Sequence, residues 1–364
     1  MNDVAELKQY VGVHARAQGI PPAQYEPLLD QVSHDDDGPG SWVAEWSRAA
    51  ERLERDGRLL EACRYYNMAR FPYVDGQPRR DALTRCVTVF DRWRRENSPI
   101  QRLDLDLPQG RLGCWTVGLD PAQPRPVLLV MGGIVSVKEQ WAPLLLRARA
   151  LGMAGLVTEM PGVGENAARY DTDSPRMLSH VLDALRDRGV DATQTYAMTL
   201  SFSGHMALRR APDDPRLRGV ILAGAPVHAF FTDREWQRAL PRITVDTLGH
   251  LTGEKPADAV ERMRGWAIDP SALRAIDVPV HALVSRRDEI IPPQDARMLR
   301  RHVRRLRTRT NDDVHGSPNH VAESGLWLVL SLLRMRRVDP RQQASLRWRL
   351  TAMRARGVLA RGGG

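Results

Sequence analysis

From residue 100 onward the chain carries short strand-like runs, most of them largely apolar, separated by helical stretches, an alternation that few architectures can absorb. Pro126 to Met131 is one such run, ending in Gly132-Gly133; Ala154 to Thr158, Gln194 to Leu200, Val220 to Ala223 and Val278 to Val284 are others, and the Arg307 to Thr310 region completes the series. Leu178 to Arg188 reads as an intervening helix. Strands apolar on both faces belong in a parallel sheet covered by helices on each side, so the fold class is α/β. Just ahead, Leu103, Leu105 and Leu107 alternate with polar residues, Pro108-Gln109-Gly110 turns, and Leu112 to Val117 continues as a second strand.

Residues 1–99 show only helical patterning. Ser41 caps a segment with Trp42 and Trp46 one turn apart, Leu59, Leu60, Cys63, Tyr66 and Met68 mark a second helix closed by Phe71-Pro72, and Leu83, Val87 and Phe90 a third. Asp35 to Gly40 reads as a loop. The expected organisation is a helical cap (1–99), an α/β core (100–333) and a basic tail (334–364).

That tail explains a charge that could mislead. The chain is +9 overall, but the segment from Arg334 to Gly364 holds nine arginines and one acid, leaving +1 for the rest. Fifty of the 53 basic residues are arginine, a skew that fits GC-rich coding better than a phosphate-binding face. Leu346, Leu350 and Met353 form a narrow apolar stripe within the tail, which reads as a solvated helix. No apolar run reaches the ~18–20 residues of a membrane span. The Met1–Glu6 start shows no secretory pattern, and Cys63, Cys86 and Cys114 are too dispersed for a disulfide framework or zinc site, so a cytoplasmic location is expected. No GxxxxGK[ST] or HExxH motif occurs, and Gly162-x-Gly164 lacks the third glycine of a dinucleotide fingerprint. The expected partner is a small-molecule substrate, without nucleic acid, cofactor or metal; a homodimer stays open.

The chemistry concentrates at strand ends. In Thr199-Leu200-Ser201-Phe202-Ser203-Gly204 a strand runs directly into a helix through a serine with small residues two positions away on either side, as a nucleophile elbow requires. Thr199 and Ser203 replace the usual glycines. Asp288 follows the strand ending at Val284, and His315 follows the next strand, giving the chain order Ser, acid, His of an α/β-hydrolase fold. Gly132-Gly133 ends an earlier strand, so its loop can offer a backbone N–H to an oxyanion beside that of Phe202; Ile134 is the assigned second donor, with Gly133 the rival.

The series Gly132-Gly133-Ile134-x-Ser136-x-Lys138-Glu139, Pro161-Gly162-x-Gly164-Glu165, the elbow, Asp288-Glu289 and His315 resembles one α/β-hydrolase group. It comprises the dihydroxypseudooxynicotine hydrolases, the fungal chain-shortening hydrolases of naphthopyrone pigment synthesis, and the esterases named for the fermentation–respiration switch. The stretch with Ala62, Tyr65, Tyr66, Ala69, Arg70, Phe71 and Pro72 is similar to the group's helical segment over the active site. The resemblance implies Ser201 as nucleophile, Asp288 as acid and His315 as base, acting on an ester or a carbon–carbon bond beside a ketone. A large cap suits a bulky, polyketide-like substrate. Some proteins of this fold in polyketide pathways instead expel acetate from an acetylated tetronate ring, and a binding protein that kept the fold without turnover is a third reading.

Among further residues, Gly133, Glu139, Tyr65, Tyr66 and His205 are candidate substrate contacts. Aromatics at helical spacing are more often core, and His205, one turn beyond Ser201, suits a packing role. His320 is the rival base.

Overall fold

The computed structural model describes residues 2–361. Five helices come first: α1 (Val4–Ala17), α2 (Pro22–Leu29), α3 (Trp42–Arg55), α4 (Leu59–Arg70) and α5 (Gln77–Asn97). Ser41 caps α3 as expected, its hydroxyl accepting from Ala44 N at 3.2 Å; Asp3 caps α1 in the same way. The helices before Asp35 were not individually resolved in the sequence pattern, because α1 is weakly amphipathic and α2 contains Pro27.

Eight strands form one sheet: β1 (Gln101–Leu107), β2 (Gly110–Val117), β3 (Val127–Met131), β4 (Ala154–Thr158), β5 (Thr195–Leu200), β6 (Leu217–Ala223), β7 (Val280–Ser285) and β8 (Leu306–Asn311). Their spatial order is β1-β2-β4-β3-β5-β6-β7-β8. β2 pairs antiparallel with β1 and β4, and every pairing from β4 to β8 is parallel. β3 and β4 are buried at every position, which is why they read as continuous apolar runs. Met131 pairs with Thr199, so β3 and β5 end level and their following loops meet.

The core helices continue the series: α6 (Lys138–Trp141), α7 (Leu144–Ala150), α8 (Arg176–Arg186) and α9 (Phe202–Arg210). Between β6 and β7 the chain makes a helical excursion through α10 (Ala229–Thr232), α11 (Arg234–Arg238), α12 (Arg242–Thr252), α13 (Pro256–Met263) and α14 (Pro270–Arg274). The Asp295 carboxylate, on α15 (Pro293–His302), pins its start by accepting the backbone N–H groups of Val227, His228, Ala229 and Phe230. α12 is tied to the first helix as well, since Glu6 accepts from Ile243 N at 2.9 Å.

After β8 come α16 (Val321–Arg336) and α17 (Pro340–Arg361). The expectation of a solvated tail helix is corrected here: Leu346 and Leu350 are buried and belong to the main hydrophobic core, while Trp348 between them is exposed. The stripe is narrow because most of the helix circumference faces water; its two leucines suffice to dock it.

Candidate active site

β5 delivers Ser201 to the start of α9 at φ 58°, ψ −127°. Such backbone geometry in a non-glycine residue costs roughly 1–3 kcal/mol and persists only where its surroundings enforce it. Ser203 supplies part of that enforcement. Its hydroxyl accepts from Leu200 N at 2.8 Å and donates to the Met131 carbonyl at 2.9 Å, tying the elbow to the end of β3. Thr199 is fully buried with its hydroxyl toward Ile221 O. Both replacements for glycine are thus accommodated, the serine by hydrogen bonds a glycine could not make.

His315 Nε2 stands 3.2 Å from Ser201 Oγ, and its Nδ1 lies 2.9 Å from Asp288 Oδ2. Asp288 Oδ1 is fixed in turn by the backbone N–H groups of Ile290 and Ile291. Burial pushes the imidazolium of His315 down, but the charge and hydrogen bond of Asp288, helped by Glu289, outweigh it and leave the pKa raised. Glu289 also accepts from His315 N at 3.0 Å, a second anchor for the loop. Gly224, at φ 59°, passes so close to the ring that a Cβ there would lie 2.7 Å from His315 Cε1. His320 is engaged elsewhere: its Nδ1 lies 2.8 Å from Asp313, whose carboxylate also accepts from Val314 N and Asn319 N.

The loop after β3 approaches Ser201 from the other side. A Cβ on Gly133 would sit 2.9 Å from Ser201 Cβ, so only glycine lets the backbone come this close. Gly133 to Ser136 is a turn closed by Ser136 N–H to Gly133 O at 3.1 Å. Among the described residues the N–H groups of Ile134 and Phe202 have no acceptor, the latter because it opens α9.

Ser201, Phe202, Gly133, Ile134 and His315 all line a cavity of about 470 Å³. Its roof is built by α1, α4 and α12, and one side by α16. Glu139 also reaches the wall, buried, with Oε1 accepting from Trp115 Nε1 at 2.8 Å and paired with Lys138. Three sequence candidates do not reach it. α4 presents Leu60, Cys63, Arg64 and Asn67 to the cavity, so Tyr65 and Tyr66 fall on its other side. Tyr65 packs edge-on against Trp46, and Tyr66 donates to Glu54 beneath Arg85. His205 is corrected likewise: buried behind the elbow, its Nε2 lies 2.9 Å from Trp266 O and burial pulls its pKa down to about 3. His14, Gln18 and Asn67 reach the cavity without having been singled out, since isolated polar residues on amphipathic helices carry no motif. Burial, with Arg70 and His315 nearby, holds the His14 pKa at about 3, so its ring is neutral at physiological pH.

A mostly parallel sheet with a strained serine elbow at the end of its central strand, and an acid and a histidine on the loops that follow, places the molecule in the α/β-hydrolase class. The family model described as Esterase FrsA-like matches residues 26–306. The chain belongs to the FrsA-like esterase family. It is 28% identical to Esterase FrsA of Citrobacter koseri over 232 residues, 59% of this chain and 56% of that protein, so it spans little more than half of that relative's length. Identity to Esterase FrsA of Escherichia fergusonii is 26% over 287 residues, covering 71% of this chain and 68% of that one. Among solved structures, wild-type AbyA5 is 52% identical with a TM-score of 0.92, covering 97% of this chain and all of its own. 2,6-Dihydroxy-pseudo-oxynicotine hydrolase shares the fold at a TM-score of 0.66 and 22% identity, over 86% of this chain and 97% of its own.

Proposed function

We propose that this protein is a serine-dependent hydrolase that cleaves an ester, or a carbon–carbon bond beside a ketone, in a bulky polyketide-like metabolite. One observation carries the reading: Ser201 and His315 line the floor of a roofed cavity, and Asp288 stands behind His315 in hydrogen-bonded series with them. Asp288 holds the Nδ1 proton in place, leaving Nε2 to take the proton of Ser201 as its oxygen attacks the carbonyl. The N–H groups of Ile134 and Phe202 receive the oxyanion, an acyl-enzyme forms, and water activated by His315 releases it. No cofactor enters this scheme. A cavity of about 470 Å³ with a mostly apolar lining, and polar groups from His14, Gln18 and Asn67 in its roof, suits a drug-sized substrate and exceeds what a small acyl ester fills. Likeness to AbyA5 along nearly the whole chain, roof helices included, supports a similar pocket in the two proteins.

The same triad admits a second outcome. Elimination needs no water: His315 would take a proton from a carbon beside a carbonyl, the electron pair would form a carbon–carbon double bond, and acetate would leave with its bonding electrons. Net, the substrate loses acetic acid.

The test is intact-protein mass after treatment with a fluorophosphonate, on the parent and on Ser201→Ala. A single adduct on the parent and none on the variant is expected. A folded parent that forms no adduct overturns the reading. Product mass then separates the outcomes, since hydrolysis adds water and elimination removes acetic acid.

A further inference from the structure

Arg70, the last residue of α4, is 2% exposed, yet its hydrogen-bond partners are all neutral. Nε and Nη2 donate to Asn67 Oδ1 at 2.9 and 2.8 Å, Nη1 donates to Pro72 O at 2.9 Å, and Nη2 also donates to Val135 O. Burying a cation with no carboxylate in hydrogen-bond contact is expensive, and only the more distant charges of Glu159 and Glu139 offset it. The charge survives: burial lowers its pKa to about 10, with Cys86 and the carboxylates of Glu159 and Glu139 opposing the shift. Nor is Arg70 placed to hold a substrate anion, since it does not line the cavity and its donors are largely engaged.

Its contact with Val135 leads somewhere specific. Val135 O shares a peptide group with Ser136 N–H, which donates to Gly133 O at 3.1 Å. Gly133 O in turn shares a peptide group with Ile134 N–H, the donor assigned above to the oxyanion. Two peptide groups therefore stand in series between a buried guanidinium and that donor, and hydrogen-bonded amides in series polarise one another, the more so in a low dielectric.

We propose that Arg70 is a positioning residue that fixes the turn from Gly133 to Ser136 and, through its two peptide groups, strengthens Ile134 N–H as an oxyanion donor. The inference rests on the serine-acylation reading above. It explains why a cation is kept at the junction of α4 and the core: the cap helps build the oxyanion site as well as cover it. On the cap side the network continues from Asn67, whose Nδ2 donates to Gln18 Oε1 on the segment leaving α1.

The experiment compares the parent with Arg70→Gln and Arg70→Lys. It follows the limiting rate of fluorophosphonate labelling, the half-saturating probe concentration, and affinity for an alkylboronic acid, which forms a tetrahedral anionic adduct on an activated serine. Deleting an oxyanion donor outright costs about 10²–10³ in rate, and weakening one through R70Q is expected to cost about tenfold. The half-saturating concentration should stay within about twofold, boronate affinity should fall in parallel with the rate, and R70K, which keeps the charge, should lie between. If R70Q does not fold, Arg70→Met replaces it, since it removes the cost of burying a charge; the same slowing is expected. A purely structural role would lower stability without this paired loss of rate and boronate affinity. If the parent labels and a folded R70Q or R70M matches its limiting rate and boronate affinity, Ser201 stands and the relay is wrong. If the parent does not label, the acylation reading and the relay fall together.

Discussion

Gly224→Ala is the sharpest test of the site geometry, because the perturbation is one methyl group and its collision partner is the proposed base. The added Cβ would meet His315 Cε1 at 2.7 Å and Nδ1 at 3.1 Å, with Asp288 Oδ2 at 3.4 Å. Carbon atoms at rest stand about 3.5–4.0 Å apart, so the imidazole must retreat by roughly 0.8 Å or more. The ring is held between Asp288 at 2.9 Å and Ser201 at 3.2 Å, so any retreat strains one of those two bonds. A shift of that size takes Nε2···Oγ to about 4 Å, beyond hydrogen-bond reach. Misplacing a reacting group by about 1 Å can cost on the order of 10²-fold in rate. The stability cost is separate and modest: an alanine at positive φ loses about 1–2 kcal/mol. Thermal melting and the labelling rate of Ser201, measured on the same sample, should therefore diverge, with a folded protein of slightly lower Tm labelling about a hundredfold more slowly. Parent-like labelling by a folded G224A would refute the placement of His315 against Ser201.

Other outcomes follow from the same contacts. Labelling of Ser201 should rise with pH through an inflection above that of an ordinary histidine, because only neutral His315 accepts the proton and Asp288 raises its pKa. The stability term runs the other way: the paired imidazolium stabilises the fold fully below the unfolded-state pKa, and this is lost as pH rises through the raised folded value, which pH-dependent melts of parent and Asp288→Asn will separate. His205 behaves oppositely, since its folded pKa near 3 means the unfolded chain takes up a proton first; acidification from pH 6.5 to 5 should cost about 2 kcal/mol through this residue, read by denaturant melts. Ser203→Ala leaves Leu200 N–H and Met131 O without their hydroxyl partner inside the core, so a loss of about 1–3 kcal/mol in a urea melt is expected, with slower labelling as the elbow loosens. Leu346→Ala combined with Leu350→Ala should lower the melting temperature through at least about 2 kcal/mol of lost burial while leaving Ser201 labelling intact, because α17 docks on α16 away from the cavity floor.

The sequence by itself determined the sheet. Short, largely apolar runs of four to seven residues are a local signature, and β3 to β7 lie where those runs fall, within three residues at their ends. It also singled out the three residues that meet at the site, since each follows a strand whose end is marked by a change in composition and their chain order is a property of the fold. Legibility ended where function depends on which way a helix is turned. Tyr65 and Tyr66 were credible contacts until the rotation of α4 gave the cavity to Cys63, Arg64 and Asn67; the apolar pattern of that helix is broad enough to permit either face. His14 and Gln18 were invisible because α1 has no motif and reaches the cavity only by packing across a chain separated from His315 by some three hundred residues. The helical excursion after β6 closes the roof for a similar reason, its position set by Asp295 and Glu6 from distant parts of the chain. Ser203 in place of glycine looked like a departure from the elbow pattern, and only the level ends of β3 and β5 give its hydroxyl two backbone partners. Strand identity is written in local periodicity; the roof, and with it the shape a substrate meets, exists only once residues far apart in sequence are packed together.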